Sequence, residues 1–351
     1  MPTTLFKASS VALTLMCILT AGLILTSRVF AEDPVTGGRY EVALWGDVPY
    51  ASAGTGTATP KVPNLIAHVN AANVAFTIFD GDTKDGSSMC TDAIIGSQVR
   101  ERFNSTSAPT IYTPGDNEWT DCHRTNNGGH DPLERLSYLR KTLFNTADSF
   151  GQRKLSLEHQ GALGGPYSEN TRWVYNNVVF ATLHVVGSNN NKISADTCLA
   201  SNSRRTKAQC DAGNVEYLER DAMNLAWLRR SFDVAKQLNS PGIMITIQAN
   251  PGFDLPDTTS NEREAAGVDG FNNFLQTLIQ ETRAYSGQVV LVHGDSHYFR
   301  IDMPLLDPGR LLPNFTRVET FGSANAHWVK AIVDPSSKQV FKFEPMIVPG
   351  N

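Results

Sequence analysis

The sequence predicts an α/β domain whose functional site lies at the carboxyl ends of its strands. Four short apolar runs end at Gly-Asp or Asp-Gly, and segments with helical spacing separate them. A single Gly-Asp after a strand is ordinarily a turn, but four in series favour a shared crevice of the kind that binds ligands in open α/β sheets. Carboxylates that meet there would need a divalent cation between them. The runs begin near Tyr40, Phe76, Thr110 and Val289 and lead to Asp47, Asp82, Asp116 and Asp295.

The segments between and after these runs carry helix and hairpin signals. We expect helices over residues 61–73, 92–104, 132–143 and 216–232. Further strands are expected over 173–175, 178–186, 242–247, 327–334 and 339–344. Asn176-Asn177 favours a primed turn and so predicts a hairpin, and residues 335–338 form the turn of a second hairpin in the tail. The strand count alone fits either one mixed sheet or two packed sheets.

Composition and charge are those of a globular enzyme. The chain has 351 residues, of which 41% are hydrophobic and 19% are charged, and its net charge is −5. Because the net charge is negative, the chain offers no excess of basic residues to bind a phosphate backbone, and we expect no binding to duplex DNA or RNA. The oligomeric state cannot be read from these features.

The N-terminus predicts a secreted or periplasmic protein. Lys7 precedes an almost uniformly apolar stretch over 11–25, and Val29-Phe30-Ala31 provides a small-residue cleavage site. We therefore expect a signal peptide over 1–31, a linker over 32–39, and no stable membrane insertion once the signal is removed. An uncleaved anchor is the alternative, because the apolar stretch approaches the ~20 residues that span a bilayer.

The order of these motifs resembles the calcineurin-like metallophosphoesterase superfamily. The matching motifs are Gly46-Asp47, Gly81-Asp82 with Asp85-Gly86, Gly115-Asp116-Asn117-Glu118 and Gly294-Asp295-Ser296-His297. The similarity runs from about Val42 to about Ile301. It implies two packed mixed β-sheets flanked by helices, a four-layer αββα sandwich with a metal site at the strand ends. The single domain would cover 40–351, with polar insertions near 119–165 and 187–213.

The chain departs from the family pattern mainly by losing histidines. Pro49 stands where Asp-x-His has its histidine, Asn117 stands on the histidine of Gly-Asn-His-Glu, and Asp295 replaces the first histidine of Gly-His-x-His. The lone histidine before a proline is replaced by Ala249, with Gln248 and Asn250 as candidate substitutes. The resemblance implies metal ligands Asp47, Asp82, Asp116, Asp295, His297 and Asn250. Such an oxygen-rich set favours manganese or magnesium, with iron or zinc as alternatives, and holds one or two ions.

The implied activity is hydrolysis of a small phosphate monoester or diester by metal-activated water. Asn117 would bind a phosphoryl oxygen, and the leaving group would take its proton from His123, His130 or a water, or would be good enough to need none. His293 is a further catalytic candidate, either as a substitute ligand or as a neighbour that orients the loop. Two other functions stay open: a catalytically degenerate binding protein of the cell envelope with this fold, and a structural envelope protein.

Two basic residues and one further histidine lie in or near these motifs. Lys84 and Arg300 are candidate phosphate-binding cations, although each also fits an ordinary ion pair. His184 ends a predicted strand and is expected to pack near the site rather than to react.

Four cysteines outside the signal predict two disulfides in an oxidising compartment. Cys90 and Cys122 each follow a predicted metal loop and should meet at the rim of the site, while Cys198 and Cys210 bracket a short polar segment. Cys90–Cys122 and Cys198–Cys210 are therefore the expected pairs out of three pairings. A zinc cluster is the competing interpretation, but the sequence has neither CxxC spacing nor paired histidines nearby.

Overall fold

The protein contains two mixed β-sheets. The structure is a computed structural model, which describes residues 1, 38–50, 61–253 and 267–351. All but the first residue of the predicted signal peptide and most of the linker lie outside the described residues. The strands are β1 Tyr40–Trp45, β2 Phe76–Phe79, β3 Thr110–Tyr112, β4 Glu158–His159, β5 Thr171–Tyr175, β6 Val178–Thr182, β7 Gly242–Thr246, β8 Gln288–His293, β9 Arg300–Asp302, β10 Phe315–Glu319, β11 Trp328–Val333 and β12 Phe341–Met346.

Seven α-helical segments accompany the strands in the described residues. They are α1 Lys61–Ala72, α2 Gln98–Asn104, α3 Pro132–Leu143, α4 Gly187–Asn190, α5 Ala195–Cys198, α6 Lys207–Gln237 and α7 Asn272–Arg283. A π-helical turn over Ala93–Ser97 leads into α2, within the span predicted as one helix. Helix α6 begins nine residues before the predicted start, because Thr206 and Gln209 form a capping box.

The sheet topology brings the ends of the motif-bearing strands to common edges. The first sheet has the order β12-β11-β1-β2-β3, and the second has β4-β5-β6-β7-β8-β10-β9. Strands β1, β2 and β3 are parallel, with Leu44 paired to Ile78 and Ile78 paired to Ile111. Because parallel strands share a carboxyl end, the loops after β1, β2 and β3 emerge side by side.

Alternation along the strands divides the core into three clusters and the fold into four layers. In β1, Val42 and Leu44 belong to a cluster that contains residues of both sheets, so these faces pack against each other. Ala43 and Trp45 point the other way, into a cluster with α1, α2 and α3. Helices α6 and α7 cover the outer face of the second sheet. The predicted αββα sandwich is confirmed, and the single-sheet alternative is wrong.

Both predicted hairpins and both predicted disulfides are present. Strands β5 and β6 pair antiparallel around Asn176 and Asn177, whose φ angles of 46° and 61° suit a primed turn. Strands β11 and β12 form the tail hairpin. Cys90 is bonded to Cys122 and Cys198 to Cys210. Across the described part of the chain, no helix combines the length and apolarity that a membrane crossing requires.

Both segments predicted as polar insertions contain buried residues. In residues 119–165, Trp119 and Cys122 join the core under the first sheet, and so do Leu136 and Leu139 of α3. Residues 187–213 are mostly exposed at their centre, but the turn of α4 is buried at Gly187 and Asn190.

Candidate metal centre

Three carboxylates converge where strands β2, β3 and β8 end. Asp82, Asp116 and Asp295 each offer an oxygen, and these oxygens lie within 4.8 Å of one another. We call these three residues the aspartate trio. The approach depends on the loop backbone: Asp82 and Asp295 have φ angles of 60° and 76°, in the left-handed region that side chains rarely adopt. A Cβ at Gly115 would collide with the Asp82 carboxylate, so that position requires glycine.

The electrostatics of the trio fit a cation. Burial raises the pKa of Asp82 well above its usual range, and the charges of Asp116, Glu118, Asp47 and Asp295 raise it further. Buried carboxylates that repel one another are costly unless a positive group sits among them. Oxygen-only ligands are those that magnesium, manganese and calcium prefer. The residues present therefore fit a divalent cation.

Hydrogen bonds hold the Asp82 carboxylate on two sides. Tyr50 Oη donates to Oδ2 at 2.7 Å, and Asn117 Nδ2 donates to the same oxygen at 2.6 Å. The backbone N–H of Asn117 donates to Oδ1 at 3.3 Å. These three donors orient Asp82 as neighbouring groups orient metal ligands in proteins.

The other two members of the trio share Gln248. Its Nε2 lies 3.4 Å from Asp116 Oδ1 and 3.2 Å from Asp295 Oδ1. The Ser188 hydroxyl bridges Asp116 Oδ2 and Asp121 Oδ1, 2.8 Å from each. Burial and the charge of Asp116 raise the pKa of Asp121 to about 7. A short network of amide and hydroxyl groups therefore supports the trio from the side of α4.

Asp47 and His297, two of the predicted ligands, form a pair beside the trio. His297 Nε2 lies 3.4 Å from Asp47 Oδ1, and its Nδ1–H donates to the Ser323 carbonyl at 2.7 Å. Burial lowers the pKa of His297, but the hydrogen bond and the charge of Asp47 outweigh it, and the pKa is raised overall. The backbone N–H of Asp295 connects the pair to the trio by donating to Asp47 at 3.2 Å.

Asn250, the sixth predicted ligand, uses its side chain elsewhere. Its Nδ2 donates to Ser296 Oγ at 3.0 Å, and its Oδ1 accepts from the Gly252 N–H at 3.3 Å. Its backbone N–H bonds Asp295 of the trio at 3.0 Å. Of the two substitutes that the sequence offers for the lone histidine, Gln248 is the one whose side chain contacts the trio.

The three predicted catalytic residues have different surroundings. Asn117 contacts Asp82 directly. His123 is buried, and burial together with the charges of Arg205 and Arg124 lowers its pKa to about 3. His123 is therefore neutral near pH 7. His293 is fully buried at the end of β8, with Nδ1 3.0 Å from the Gly294 carbonyl oxygen.

The two candidate phosphate-binding cations are engaged within the protein. Lys84 is buried, and its ammonium group donates to the carbonyls of Asp85 and Asn117 and to Asn127 Oδ1, at 2.7–3.1 Å. Arg300 pairs with Glu319 at 2.6 Å. His184 is packed as predicted: it is fully buried, and its Nδ1 lies 2.8 Å from Glu169 Oε1.

Sequence reasoning missed Tyr50, Ser188 and Asp80. Tyr50 follows Asp47 by three residues, and that proximity was the one available signal. Ser188 lies in a run of left-handed residues that no motif marks. Asp80 is buried directly before Gly81-Asp82. Its Oδ2 accepts from Thr320 at 2.8 Å, whereas its Oδ1 has no hydrogen-bond partner among the described residues. Burial and the charge of Asp47 raise the pKa of Asp80 well above its usual range.

Comparison with solved structures decides the fold. The structure of PhoD matches this chain with a TM-score of 0.52 at 11% identity, over 90% of this chain and 67% of that chain. PhoD has the calcineurin-like metallophosphoesterase fold. The chain has this metallophosphoesterase fold. Neither a protein-family model nor a curated protein sequence matches the chain.

Two further structures of this fold align at lower scores. A purple acid phosphatase, PPD1 from yellow lupin (Lupinus luteus) seeds, has a TM-score of 0.47 at 12% identity, covering 88% of this chain and 54% of that one. A 5′-nucleotidase from Candida albicans SC5314 has a TM-score of 0.38 at 11% identity, covering 90% and 52%. The chain therefore spans about two thirds of the length of PhoD and about half of the length of these two proteins.

Proposed function

We propose that this chain is a secreted, metal-dependent phosphoric ester hydrolase that acts on small phosphate monoesters or diesters. One observation carries the proposal: Asp82, Asp116 and Asp295 bring their oxygens within 4.8 Å of one another on a fold of hydrolytic phosphoesterases. Asp47 and His297 lie next to this trio and add a further carboxylate and an imidazole. Two disulfides and a signal-like N-terminus support secretion.

A divalent cation held by the aspartate trio would acidify a bound water and neutralise charge on the phosphoryl oxygens. The protein residues hold and orient the trio. Asn117 fixes Asp82, and Gln248 fixes both Asp116 and Asp295. Manganese or magnesium suits these oxygens best.

The site has no good proton donor for the leaving group among the residues predicted to be catalytic. Asn117 has replaced a histidine, and an amide does not titrate, so it donates hydrogen bonds without delivering a proton. His123 is a poor acid near pH 7 because its pKa is held at about 3. We therefore propose that the best substrates carry leaving groups that need no protonation, such as aryl esters, and that alkyl esters react slowly.

The test is hydrolysis of p-nitrophenyl phosphate and bis(p-nitrophenyl) phosphate by the purified protein in added Mn²⁺, compared with alkyl phosphates. Asp82→Asn and Asp295→Asn should lose both bound Mn²⁺ and hydrolysis. Asp211→Asn is the matched control, since Asp211 is an exposed carboxylate on α6 that pairs with Lys207. Hydrolysis that survives in Asp82→Asn, or wild-type protein that binds no Mn²⁺, would contradict the proposal.

The second candidate is a binding protein with a degenerate site. The observation that favours it is the engagement of Asp82, whose Oδ2 already receives hydrogen bonds from Tyr50 and Asn117. This candidate predicts that Mn²⁺ binds, that phosphate esters bind in competition with inorganic phosphate, and that no ester is turned over. The same assay, with calorimetric titration of phosphate into the Mn²⁺-loaded protein, separates the two functions.

A further inference from the structure

The Tyr50 hydroxyl lies between the two sets of ligand atoms at this site. Its oxygen is 2.7 Å from Asp82 Oδ2 on one side and 3.3 Å from His297 Nε2 on the other. The Tyr50 ring packs edge-on against the His297 imidazole, with ring centroids 4.9 Å apart. The hydroxyl therefore fills the gap between the trio and the Asp47–His297 pair.

The hydrogen count at Tyr50 assigns the direction of each bond. A phenol has one hydrogen to donate and an amide NH₂ only donates, while Asp82, ionised as a metal ligand is, only accepts. Tyr50 therefore donates to Asp82 Oδ2 and accepts from Asn117 Nδ2 at 3.0 Å. Asn117 Nδ2 uses its second hydrogen on the same Asp82 oxygen. Tyr50 and Asn117 form a closed three-membered network with Asp82 that holds its carboxylate in place.

The distances fit one cation at the trio, and the described residues offer no second group of three acidic, histidine or cysteine side chains close enough together to hold another. Two ligand atoms of one ion lie at most twice the metal–ligand distance apart, roughly 4 to 5 Å for bonds of 2.0–2.6 Å. Among the described residues, the trio is the group of three or more acidic, histidine or cysteine side chains that satisfies this limit. Asp47 and His297 are close to each other, at 3.4 Å, but they do not form such a group with Asp82.

We propose that Tyr50 is a positioning residue that makes this a site for a single divalent cation per chain. Its hydroxyl aims Asp82 at Asp116 and Asp295, and it takes the space that a second ion between Asp82 and His297 would need. The inference rests on the proposed function only in requiring that the trio binds a cation.

The first experiment counts ions in the wild-type protein. Equilibrium dialysis against Mn²⁺ should saturate at one ion per chain. The electron paramagnetic resonance spectrum of the loaded protein should show isolated Mn²⁺, without the spin coupling that two ions about 4 Å apart would produce. Two coupled ions per chain would overturn the single-cation inference while leaving the proposed hydrolase intact. Wild-type protein that binds no Mn²⁺ would overturn the proposed function and this inference together.

The second experiment tests Tyr50 itself with Tyr50→Phe, which keeps the ring and removes the hydroxyl. Loss of a group that orients a metal ligand weakens metal binding by roughly 10- to 100-fold, and we expect that loss of Mn²⁺ affinity. The matched control is Tyr285→Phe, because Tyr285 is also buried and its hydroxyl bonds the Ser240 carbonyl. Tyr285→Phe should bind Mn²⁺ as the wild type does.

A variant of the partner residue keeps the test valid if Tyr50→Phe folds poorly. Asn117→Ala removes the other side-chain donor to Asp82, and it should also weaken Mn²⁺ binding by roughly 10-fold or more. Circular dichroism in chelator reports whether each variant is folded. A folded Tyr50→Phe protein with wild-type Mn²⁺ affinity and stoichiometry would overturn the role of Tyr50.

Discussion

Neutralising Asp82 should stabilise the metal-free protein and abolish its stabilisation by Mn²⁺. Asp82 is 2% exposed and sits within 4.8 Å of two other carboxylates, so its charge opposes folding when no cation is present. Asp82→Asn removes that charge with almost no change of shape. The same substitution removes a ligand from the trio, and the two effects can be measured separately by adding or withholding metal.

The magnitude follows from the separations. Two full charges 4.8 Å apart repel by about 3.5 kcal/mol at an effective dielectric constant of about 20, and Asp82 faces Asp116 and Asp295 at this distance or less. Because the pKa of Asp82 is raised by burial and by its neighbours, protonation of Asp82 already relieves part of this cost. In the variant, the amide NH₂ takes the place of Asp82 Oδ1, so two hydrogen-bond donors, this NH₂ and the Asn117 N–H, face each other. The lost hydrogen bond costs about 1–3 kcal/mol of stability. We expect a net gain of about 1–3 kcal/mol in the free energy of unfolding.

The assay is urea unfolding of wild type, Asp82→Asn and the control Asp211→Asn, in chelator and in Mn²⁺. In chelator, Asp82→Asn should be the most stable protein of the three. At a Mn²⁺ concentration 100 times the dissociation constant, wild type and control should gain about 2.7 kcal/mol, whereas Asp82→Asn should gain nothing.

Two results would refute the reasoning. If Asp82→Asn were no more stable than wild type in chelator, repulsion within the trio would not be a significant cost of folding. If Mn²⁺ stabilised Asp82→Asn as much as wild type, Asp82 would not be a ligand.

Three further predictions concern other parts of the fold. Burial opposes ionisation of Glu169, but its partners Arg140 and His184 outweigh it and hold its pKa far below 4.5. This stabilisation is present above about pH 4.5 and is lost as the pH falls toward the folded-state pKa. In urea unfolding at pH 7, Glu169→Gln should therefore lower the free energy of unfolding by about 3–5 kcal/mol. The free energy of unfolding of the variant should also fall less steeply with acid than that of the wild type. Gly115→Ala should abolish Mn²⁺ binding in equilibrium dialysis while circular dichroism still shows a folded protein, because its Cβ would lie 2.0 Å from Asp82 Oδ1 and 2.5 Å from the Asp82 backbone nitrogen and so displaces Asp82 locally. The Cys90–Cys122 disulfide joins residues that are 32 positions apart in the sequence. Replacing both cysteines should lower the free energy of unfolding, measured in urea, by about 4 kcal/mol.

Most of the strands could be predicted because they depend on local pattern, whereas their order in the two sheets could not. Runs such as residues 76–79 and 288–293 are almost wholly apolar, as strands buried on both faces must be, and each stops where glycine and aspartate begin. The hairpin at Asn176-Asn177 depends on two residues that tolerate positive φ. Both disulfide pairs were also predictable, because two cysteines follow loops that parallel strands bring together and the other two are close in the chain.

The partners of each site residue could not be predicted, because they depend on the path of the loops. Asn250 was expected at the metal, yet the chain after β7 aims Gln248 there and turns Asn250 toward Ser296. Lys84 was a candidate for phosphate, yet it folds back onto backbone carbonyls. In each case the loop dihedrals decide where the side chain points, and no periodic pattern encodes those dihedrals.

By itself, the sequence determined the α/β class, the strands β1, β2, β3 and β8, and the aspartates that follow them. These follow from hydrophobic periodicity and turn chemistry, which act over a few residues. Only the tertiary structure decided that Asp82, Asp116 and Asp295 form one group while Asp47 and His297 form another, with Tyr50 between them. That division is a matter of a few ångströms between segments far apart in the chain, set by left-handed loop residues and by packing of the two sheets.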